Sequence, residues 1–357
     1  MLNTSCWAPR ALAALVLLAP AGASADENSE KAAADLLERR MRNTRPEDWN
    51  LLKAVEGRQI VVVRGSMDHI EQVLTAARIR HTVIEPEQVA KADLNADQIV
   101  MVDCPGYMPD AGVRRLERFV RAGGLLYTTD WALLNVVQKA FPRTIRHNGG
   151  STGDHVTAVQ VGEHDDNLMS NMLLSKGGQP QWWLEGGSYP IEILDKKRVT
   201  VLASSEQMRR KYGSAPVVVR FRWEDGEVVH VVSHFYRQMA TQGPSTDVKA
   251  GVASVEGLTE EDKKEFQAAA PAARMSDVES SYAFQQMTTN LVVGKGKANK
   301  DLDKSYGVTP KASVSVEGRT VKSGDRLKVL EKKGAKVRVR DDRGNEAELD
   351  EAQLQAR

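Results

Sequence analysis

The fold is decided by residues 97–130, which read DQIVMVDCPGYMPDAGVRRLERFVRAGGLLYTTD. Residues 98–102 form an almost unbroken apolar run, which is typical of a strand that is buried on both faces. Apolar residues at helical spacing follow between 110 and 121, and the pair Gly123-Gly124 ends that helix before a second apolar run. A strand, a helix and a strand in this order predict two parallel strands that are joined by a crossover helix.

The same alternation extends in both directions along the chain. It predicts that residues 58–293 form an α/β domain with a flavodoxin-like, mostly parallel sheet that has helices on both faces. Residues 26–56 predict a helical N-terminal arm. Residues 238–275 predict a loop-rich excursion with one short helix at 260–269, since they are rich in Gly, Pro, Ser and Ala.

The C-terminal part of the chain has a different composition. Residues 294–311 contain Gly and many Lys, which predicts a linker. Residues 312–357 alternate apolar and polar side chains over four or five short stretches, and Gly-containing turns separate these stretches. That pattern predicts a small, antiparallel, all-β barrel.

The composition and the N-terminal residues limit which partners and which location the protein can have. The 49 Lys and Arg residues balance 48 Asp and Glu residues, which argues against a nucleic-acid partner. Residues 1–25 combine Arg10, a short apolar run and Ala23-Ser24-Ala25, which predicts a secretory signal peptide and a secreted or periplasmic bacterial protein. Cleavage would leave no transmembrane anchor, and Cys104 would be the remaining cysteine. An anchor that is never cleaved is the alternative.

The stretches 97–102 and 122–130 resemble the class I glutamine-amidotransferase-like fold, and the ThuA-like (trehalose-utilisation) branch most of all. His155, His164 and the run 226–234 fall in the order of that branch. The resemblance covers about residues 58–293. It implies that the turn after the strand ending at Thr128 carries the functional group. The amidotransferases have a cysteine there and the ThuA-like proteins usually a histidine, whereas this chain has Asp130, which argues against glutamine hydrolysis.

The stretch 323–341 resembles a bacterial Src-homology-3-like barrel. Such modules often bind peptidoglycan peptides or other envelope partners. The usual aromatic residue is replaced by Ala335, and the Gly-Trp pair of the last strand is also absent at 346–348. A groove without aromatic side chains loses stacking surface, so a plain structural cap is the favoured role of this segment.

Candidate catalytic residues are Asp130, His155, His164 and His234, because imidazoles and a carboxylate suit acid–base chemistry. Alternatively, Asp130 is a helix N-cap and the histidines are ordinary hydrogen-bonding groups. His230 and His234 are expected on one face of one strand. Grouped imidazoles and carboxylates would also suit a divalent metal. The chain has no His-x-His or His-Glu-x-x-His motif to indicate one, so no metal and no cofactor are predicted.

A second group, Trp182, Trp183, Glu185 and Tyr189, is a candidate carbohydrate-binding cluster, because aromatic faces and a carboxylate bind sugars. A hydrophobic plug that anchors a Gly-rich loop explains the group equally well. Cys104 is expected to be buried and inert, since Pro105-Gly106 delays the next helix.

Two functions follow from these residues. The absent nucleophile favours an exported, non-catalytic envelope protein whose α/β domain binds a small ligand or a protein partner. The alternative is a ThuA-like enzyme that acts on a carbohydrate through Asp130 and the loop histidines. Proximity of Asp130 to at least two of these histidines would favour the enzyme.

Overall fold

The computed structural model describes residues 27–162, 167–174, 181–234 and 247–357. The predicted signal peptide, Cys6, His164 and the first part of the 238–275 excursion lie outside these ranges. No helix in the described ranges is long and apolar enough to cross a membrane.

The α-helices of the described chain are α1 (Glu27–Thr44), α2 (Pro46–Ala54), α3 (Ile70–Ala76), α4 (Asp110–Arg121), α5 (Gln138–Ala140), α6 (Glu206–Tyr212), α7 (Val248–Gly251), α8 (Glu260–Ala269) and α9 (Met275–Ser305). The strands before α7 are β1 (Ile60–Val63), β2 (Thr82–Ile84), β3 (Ile99–Val102), β4 (Leu125–Thr129), β5 (Ile145–His147), β6 (His155–Ala158), β7 (Gln160–Val161), β8 (Gln181–Leu184), β9 (Ile191–Ile193), β10 (Val199–Ser204), β11 (Pro216–Trp223) and β12 (Gly226–Val231). Those after α9 are β13 (Val308–Pro310), β14 (Val314–Val316), β15 (Arg319–Val321), β16 (Leu327–Lys333), β17 (Lys336–Asp341), β18 (Glu346–Asp350) and β19 (Leu354–Ala356).

One large mixed sheet organises the first part of the described chain. Its strand order is β2-β1-β3-β4-β12-β11-β10-β7. The strands from β2 to β12 in this order are parallel to one another, and each of the last three is antiparallel to its neighbour. The chain is therefore mixed α/β, as the sequence predicts. The parallel part of this sheet matters for function, because its carboxyl ends all reach the same edge.

The continuous apolar runs form strands that are buried along their whole length. Every residue of β1, β3 and β4 is buried. The helix α4 buries Val113, Leu116 and Phe119 on one side. Gly226 at the start of β12 permits a close approach between layers, since a Cβ atom there would lie 2.0 Å from the carbonyl oxygen of Val120.

Residues 294–311 are not a linker through most of their length, because α9 continues to Ser305. The glycines and lysines of this stretch have packing roles that composition alone does not reveal. A Cβ at Gly296 would lie 2.5 Å from a methyl group of Leu51, so the small residue lets α9 approach α2. The ammonium group of Lys295 is buried and donates to the carbonyl oxygens of Ala96 and Gly123, both at 2.6 Å.

The N-terminal arm consists of α1 and α2, and α1 packs on α9. The described part of the 238–275 excursion contains α7 and α8. The latter occupies the range where the sequence predicts a short helix. Thr259 caps α8 by accepting a hydrogen bond from the N–H of Asp262 at 3.0 Å.

The C-terminal segment has its own small core. Its five-stranded antiparallel sheet has the order β18-β17-β16-β13-β19, and β14 and β15 form a separate hairpin. The core side chains come from this sheet and from the hairpin: Val316, Val321, Leu327, Val337, Val339, Leu349 and Leu354. The segment contacts the α/β domain through the hydrogen bond from the N–H of Ala96 to the carbonyl oxygen of Asp342, at 2.8 Å.

Candidate functional site

Three neighbouring parallel strands deliver polar side chains to one edge of the large sheet. Cys104 lies just after β3, Asp130 follows β4 directly, and His234 lies shortly after β12. Asp130 has a left-handed backbone, with a φ of 42°. A residue other than glycine adopts this conformation at a cost, and such strain is concentrated at functional turns. The edge is also where open α/β sheets bind ligands.

The imidazole of His234 lies between two carboxylates. Its Nε2 atom is 3.1 Å from Oδ2 of Asp130, and its Nδ1 atom contacts Oε2 of Glu185. The side chains of His234 and Asp130 are only 3% and 2% exposed, whereas that of Glu185 is 26% exposed. Glu185 therefore connects a buried pair to the solvent.

The thiol of Cys104 completes the group. Its sulfur lies close to the side chains of Asp130 and His234, since one donor atom from each of the three residues lies within 4.8 Å of the other two. Its own N–H donates to Oγ1 of Thr129 at 3.1 Å. The cysteine is buried, as expected, but it faces the imidazole. We refer to Cys104, Asp130, Glu185 and His234 as the sheet-edge cluster.

The electrostatics of the cluster reflect burial and mutual contact. Burial alone would lower the pKa of His234, but hydrogen bonds with Asp130, Cys104 and Glu185 raise it well above the usual range. Burial raises the pKa of Asp130, and its contacts with His234 oppose this effect. Burial also raises the pKa of the Cys104 thiol, against the opposing influence of His234. A positive imidazole is thus strongly favoured among these groups.

The loop after β8 holds Asp130 in place. Ser188 donates through Oγ to Oδ2 of Asp130 at 2.9 Å, and the N–H of Tyr189 donates to Oδ1 at 2.8 Å. The side chain of Asp130 therefore does not cap the following helical turn, which begins at Leu133 after the N-cap Ala132 and has no side-chain cap. Its carboxylate is oriented toward His234 instead.

Aromatic side chains stand beside the cluster. The ring of Tyr189 stacks between Trp131, at a centroid distance of 5.3 Å, and His147, at 4.0 Å. Burial raises the pKa of Tyr189, and Tyr107 and Asp130 act in the same direction. Tyr107 is 62% exposed. Stacked aromatic rings therefore lie next to the cluster, and the ring of Tyr107 is open to the solvent.

The candidate carbohydrate cluster does not stay together. Glu185 and Tyr189 lie at the sheet-edge cluster, whereas Trp182 is fully buried against Phe284 at a ring distance of 4.7 Å. Trp182 is therefore a core residue and is not available to a ligand. Trp183 lies on the other face of β8, and its Nε1 atom donates to Asp154. Alternation along the strand separates the two tryptophans.

The candidate histidines are also separated. His155 belongs to another group, where its Nδ1 atom lies 3.3 Å from the hydroxyl of Tyr212. His164 lies outside the described residues. Of the histidines proposed with Asp130, the structure brings His234 to it and places His155 elsewhere.

His230 and His234 do not share a strand face, because β12 ends at Val231. His230 is fully buried, with Nδ1 at 2.8 Å from Oγ1 of Thr128, and burial lowers its pKa to about 3. It is a neutral core histidine, and only His234 reaches the sheet-edge cluster. The expectation that a single strand carries both is wrong.

Asp103 is a further buried carboxylate, at a strand end, that is not among the catalytic candidates predicted from the sequence. Burial, Asp68 and Glu71 raise its pKa well above the usual range. Its position directly after β3 is the signal that would have pointed to it. Asp68 also acts on His234 and adds to the negative potential around that imidazole.

Comparisons with known proteins add little. No protein-family model matches the chain, and no curated protein matches it. Among solved structures, the chain is similar to a β-galactosidase from Bacillus circulans sp. alkalophilus, at 11% identity and a TM-score of 0.38, over 87% of this chain and 43% of that chain. It is similar to the exo-β-1,4-mannosidase Op5Man5 from Opitutaceae bacterium strain TAV5, at 13% identity and a TM-score of 0.35, over 64% and 38% of the two chains.

A third similar structure is the cytoplasmic protein STM3548 from Salmonella typhimurium, at 8% identity and a TM-score of 0.36, over 52% of this chain and 91% of that chain. The chain spans less than half the length of the two glycosidases. Identities and TM-scores this low support no statement about fold or activity.

Proposed function

We propose that the chain is an enzyme and that the sheet-edge cluster is its active site. The observation that carries the proposal is the position of His234, whose two ring nitrogens face Asp130 and Glu185 while the thiol of Cys104 lies against the ring. A protein that only binds or scaffolds has no need for a thiol, an imidazole and two carboxylates in one buried contact group. Among the described residues only His234 lies at Asp130, so the criterion of two histidines is not met; the thiol of Cys104 and the carboxylate of Glu185 stand in the place of a second histidine. On that ground we favour the enzyme over the non-catalytic envelope protein.

The reaction class that fits these groups is hydrolysis. Thiol, imidazole and carboxylate groups move protons and activate nucleophiles, provided that they lie within hydrogen-bond reach of one another. The contacts of His234 with its neighbours meet that requirement. Asp130 in the strand-end turn argues against glutamine as the substrate, because the amidotransferase-like fold uses a cysteine in that turn.

The substrate class that we propose is a carbohydrate derivative. Tyr107 offers an exposed aromatic ring, Tyr189 is bonded through its N–H to Asp130 of the cluster, and Glu185 offers a partly exposed carboxylate. Aromatic faces stack on sugar rings and carboxylates accept hydrogen bonds from their hydroxyl groups. This proposal keeps Glu185 and Tyr189 from the sequence prediction and omits the buried Trp182.

The finer description of the fold is also a proposal. The order β2-β1-β3-β4 in the parallel part of the sheet supports a flavodoxin-like and amidotransferase-like domain. The left-handed turn at Asp130 supports the same assignment. The antiparallel strands of residues 312–357 support a small barrel of the Src-homology-3-like type, which would supply a contact surface for an envelope partner such as peptidoglycan.

We propose that the protein works outside the bacterial cytoplasm, in the periplasm or beyond. The pattern of residues 1–25 supports this location. Fractionation of cells that express the chain, followed by N-terminal sequencing, tests it. A chain that starts near Asp26 in the periplasmic fraction is expected, and a full-length cytoplasmic chain would contradict the location.

A panel of sugar esters, N-acetylated sugars and aryl glycosides tests the enzyme. We expect the wild type to hydrolyse at least one class and the Glu185→Gln variant to lose at least about 100-fold in kcat/KM, which corresponds to roughly 2.7 kcal/mol. Glu192→Gln is the matched control, because Glu192 pairs with Arg146 on the surface. Equal activity of the two variants, or no turnover of any compound, would contradict the proposal.

A pull-down experiment tests the non-catalytic alternative. Pull-down from envelope extracts with the full chain and with a chain that lacks residues 312–357 measures the contribution of the C-terminal sheet to partner binding. An inactive wild type that nevertheless retains an envelope partner through residues 312–357 would favour the scaffold.

A further inference from the structure

We propose that the sheet-edge cluster binds one divalent transition-metal ion of the zinc class, with Cys104, Asp130 and His234 as ligands and Glu185 as the partner that orients His234. The inference deepens the proposed function, and it rests on that proposal because it assigns a metal to the same active site. It revises the expectation from sequence that the chain has no metal.

The three ligand atoms are already close together. One donor atom from each of Cys104, Asp130 and His234 lies within 4.8 Å of the other two. Zinc bonds of about 2.0–2.3 Å place tetrahedral ligand atoms roughly 3.3–3.8 Å apart. The 3.1 Å between Nε2 of His234 and Oδ2 of Asp130 is near that separation. A small adjustment of side chains is therefore enough to surround an ion.

The kinds of donor atoms select the metal class. A sulfur, an imidazole nitrogen and a carboxylate oxygen suit zinc and similar first-row ions. Magnesium and calcium prefer sites that are made of oxygen alone. The cluster therefore distinguishes between the two groups of cations by chemistry.

The groups behind the ligands match those that support metal sites. A histidine that binds a metal usually donates its other ring N–H to a carboxylate or a carbonyl oxygen, which fixes the ring. Glu185 occupies this position, because it contacts Nδ1 while Nε2 faces Asp130. The hydrogen bonds from Ser188 and from the N–H of Tyr189 fix the carboxylate of Asp130 in the same way.

The backbone supports the third ligand. The N–H of Cys104 donates to Oγ1 of Thr129 at 3.1 Å. All three ligands are buried and all follow strands of a rigid sheet. Three protein ligands leave one tetrahedral position open, which is the pattern of catalytic zinc sites, whereas structural sites have four protein ligands.

Metal content and cobalt spectroscopy test the inference on the purified full chain. After treatment with a chelator and dialysis, we expect the chain to bind one equivalent of Zn²⁺ or Co²⁺. Co²⁺ should give a sulfur-to-cobalt charge-transfer band, and Zn²⁺ should displace it. Less than one equivalent bound by the wild type, or binding without that band, would overturn the proposal whatever the behaviour of the variants.

Variants assign the ligands. Cys104→Ser should abolish the charge-transfer band, and Glu185→Gln should weaken binding about 10–100-fold. His155→Asn is the matched control and should bind like the wild type, since His155 contacts Tyr212 outside the cluster. Circular dichroism establishes that each variant is folded. An unchanged band in folded Cys104→Ser would overturn the assignment.

These measurements need no substrate, so they separate the metal from the enzyme. A chain that binds the ion as expected and hydrolyses nothing would overturn the proposed function and leave the metal site standing. A chain that hydrolyses sugars but binds less than one equivalent of the ion would overturn the metal site and leave the enzyme standing.

Discussion

Oδ2 of Asp130 lies 3.1 Å from Nε2 of His234, in a contact that joins the ends of β4 and β12. The two strands are neighbours in the sheet and run in parallel. The register pairs Val231 with Thr129, so the residues that follow both strands emerge at the same edge. The contact is thus a direct consequence of strand order, and the left-handed turn at Asp130 completes it.

Asp130→Asn should lower the free energy of unfolding by about 3 kcal/mol, because the buried imidazole of His234 then keeps only the more exposed Glu185 as a counter-charge. Urea unfolding in the presence of a chelator measures the effect without any contribution from bound metal. Asp154→Asn is the control: Asp154 accepts a hydrogen bond from Trp183 near the surface, and a loss below about 1 kcal/mol is expected there. Equal losses would mean that the contact of Asp130 with His234 has no special role.

Asp130 is identifiable from the sequence because it follows an apolar strand directly, and strand ends are where sites form in this class of sheet. Cys104 and Glu185 are not identifiable in this way as further partners of His234. Cys104, Asp130 and His234 are far apart in the chain, and no local spacing connects them. Their proximity depends on the order of β3, β4 and β12, which is set by packing of the whole domain.

For the segment after residue 293, the sequence predicts a linker where the structure has a helix. Its glycines and lysines have the composition of a linker, but α9 continues through them. Composition describes how a segment behaves when it has no partners, whereas Gly296 approaches Leu51 and Lys295 is buried beneath the sheet. Tertiary contacts of this kind override local propensity.

The two glycines of α9 should respond differently to alanine. A Cβ at Gly294 meets no atom within 4 Å, whereas one at Gly296 lies 2.5 Å from Leu51. Gly294→Ala should therefore stabilise the protein by about 0.5–1 kcal/mol, as expected for a helix interior. Gly296→Ala should destabilise it by about 1 kcal/mol through overpacking.

Denaturant unfolding of both variants measures the difference. In a background of Leu51→Ala the clash is absent, so the cost of Gly296→Ala should disappear. A cost that persists in this background would show that the close approach of α9 to α2 is not its cause.

Arg340 connects the C-terminal sheet to the α/β domain. Its guanidinium group is 6% exposed, donates to the carbonyl oxygen of Arg121 at 2.9 Å and pairs with Asp225 at 3.2 Å. Arg340→Ala should destabilise this contact by about 1.5–3 kcal/mol, because the carbonyl oxygen of Arg121 and the partly exposed carboxylate of Asp225 lose their charged donor. Arg338→Ala is the control on the same strand, since Arg338 is 54% exposed and should change stability by less than about 1 kcal/mol.

Limited proteolysis and calorimetry report the effect of Arg340→Ala on the two parts of the chain. Release of residues 312–357 at lower protease concentration, or a separate low-temperature transition, is expected for this variant alone. Identical digestion patterns for both arginine variants would contradict the proposed role of Arg340.

Lys295 should make stability depend on pH. Burial lowers the pKa of its amine to about 7, although Asp97 and Glu227 act in the opposite direction and Arg326 reinforces the decrease. Below pH 7 the amine is charged in both the folded and the unfolded chain, so the burial of this charge lowers the free energy of unfolding by its full amount. Between pH 7 and the ordinary value of 10.5, the folded amine loses its proton while the unfolded amine keeps it, so folding gains stability as pH rises.

Lys295→Met removes this titration. The free energy of unfolding of Lys295→Met minus that of the wild type should fall with increasing pH, by up to about 1.4 kcal/mol per unit across this window. Urea unfolding between about pH 6 and pH 9 measures the slope, because this range includes the folded pKa of about 7. Lys297→Met is the control, since Lys297 is 56% exposed and pairs with Asp48 at 2.5 Å, and its difference should stay nearly flat. Parallel lines for Lys295→Met and Lys297→Met would contradict this prediction. They would mean that the buried amine of Lys295 keeps its charge throughout this pH range, stabilised by its hydrogen bonds to the carbonyl oxygens of Ala96 and Gly123.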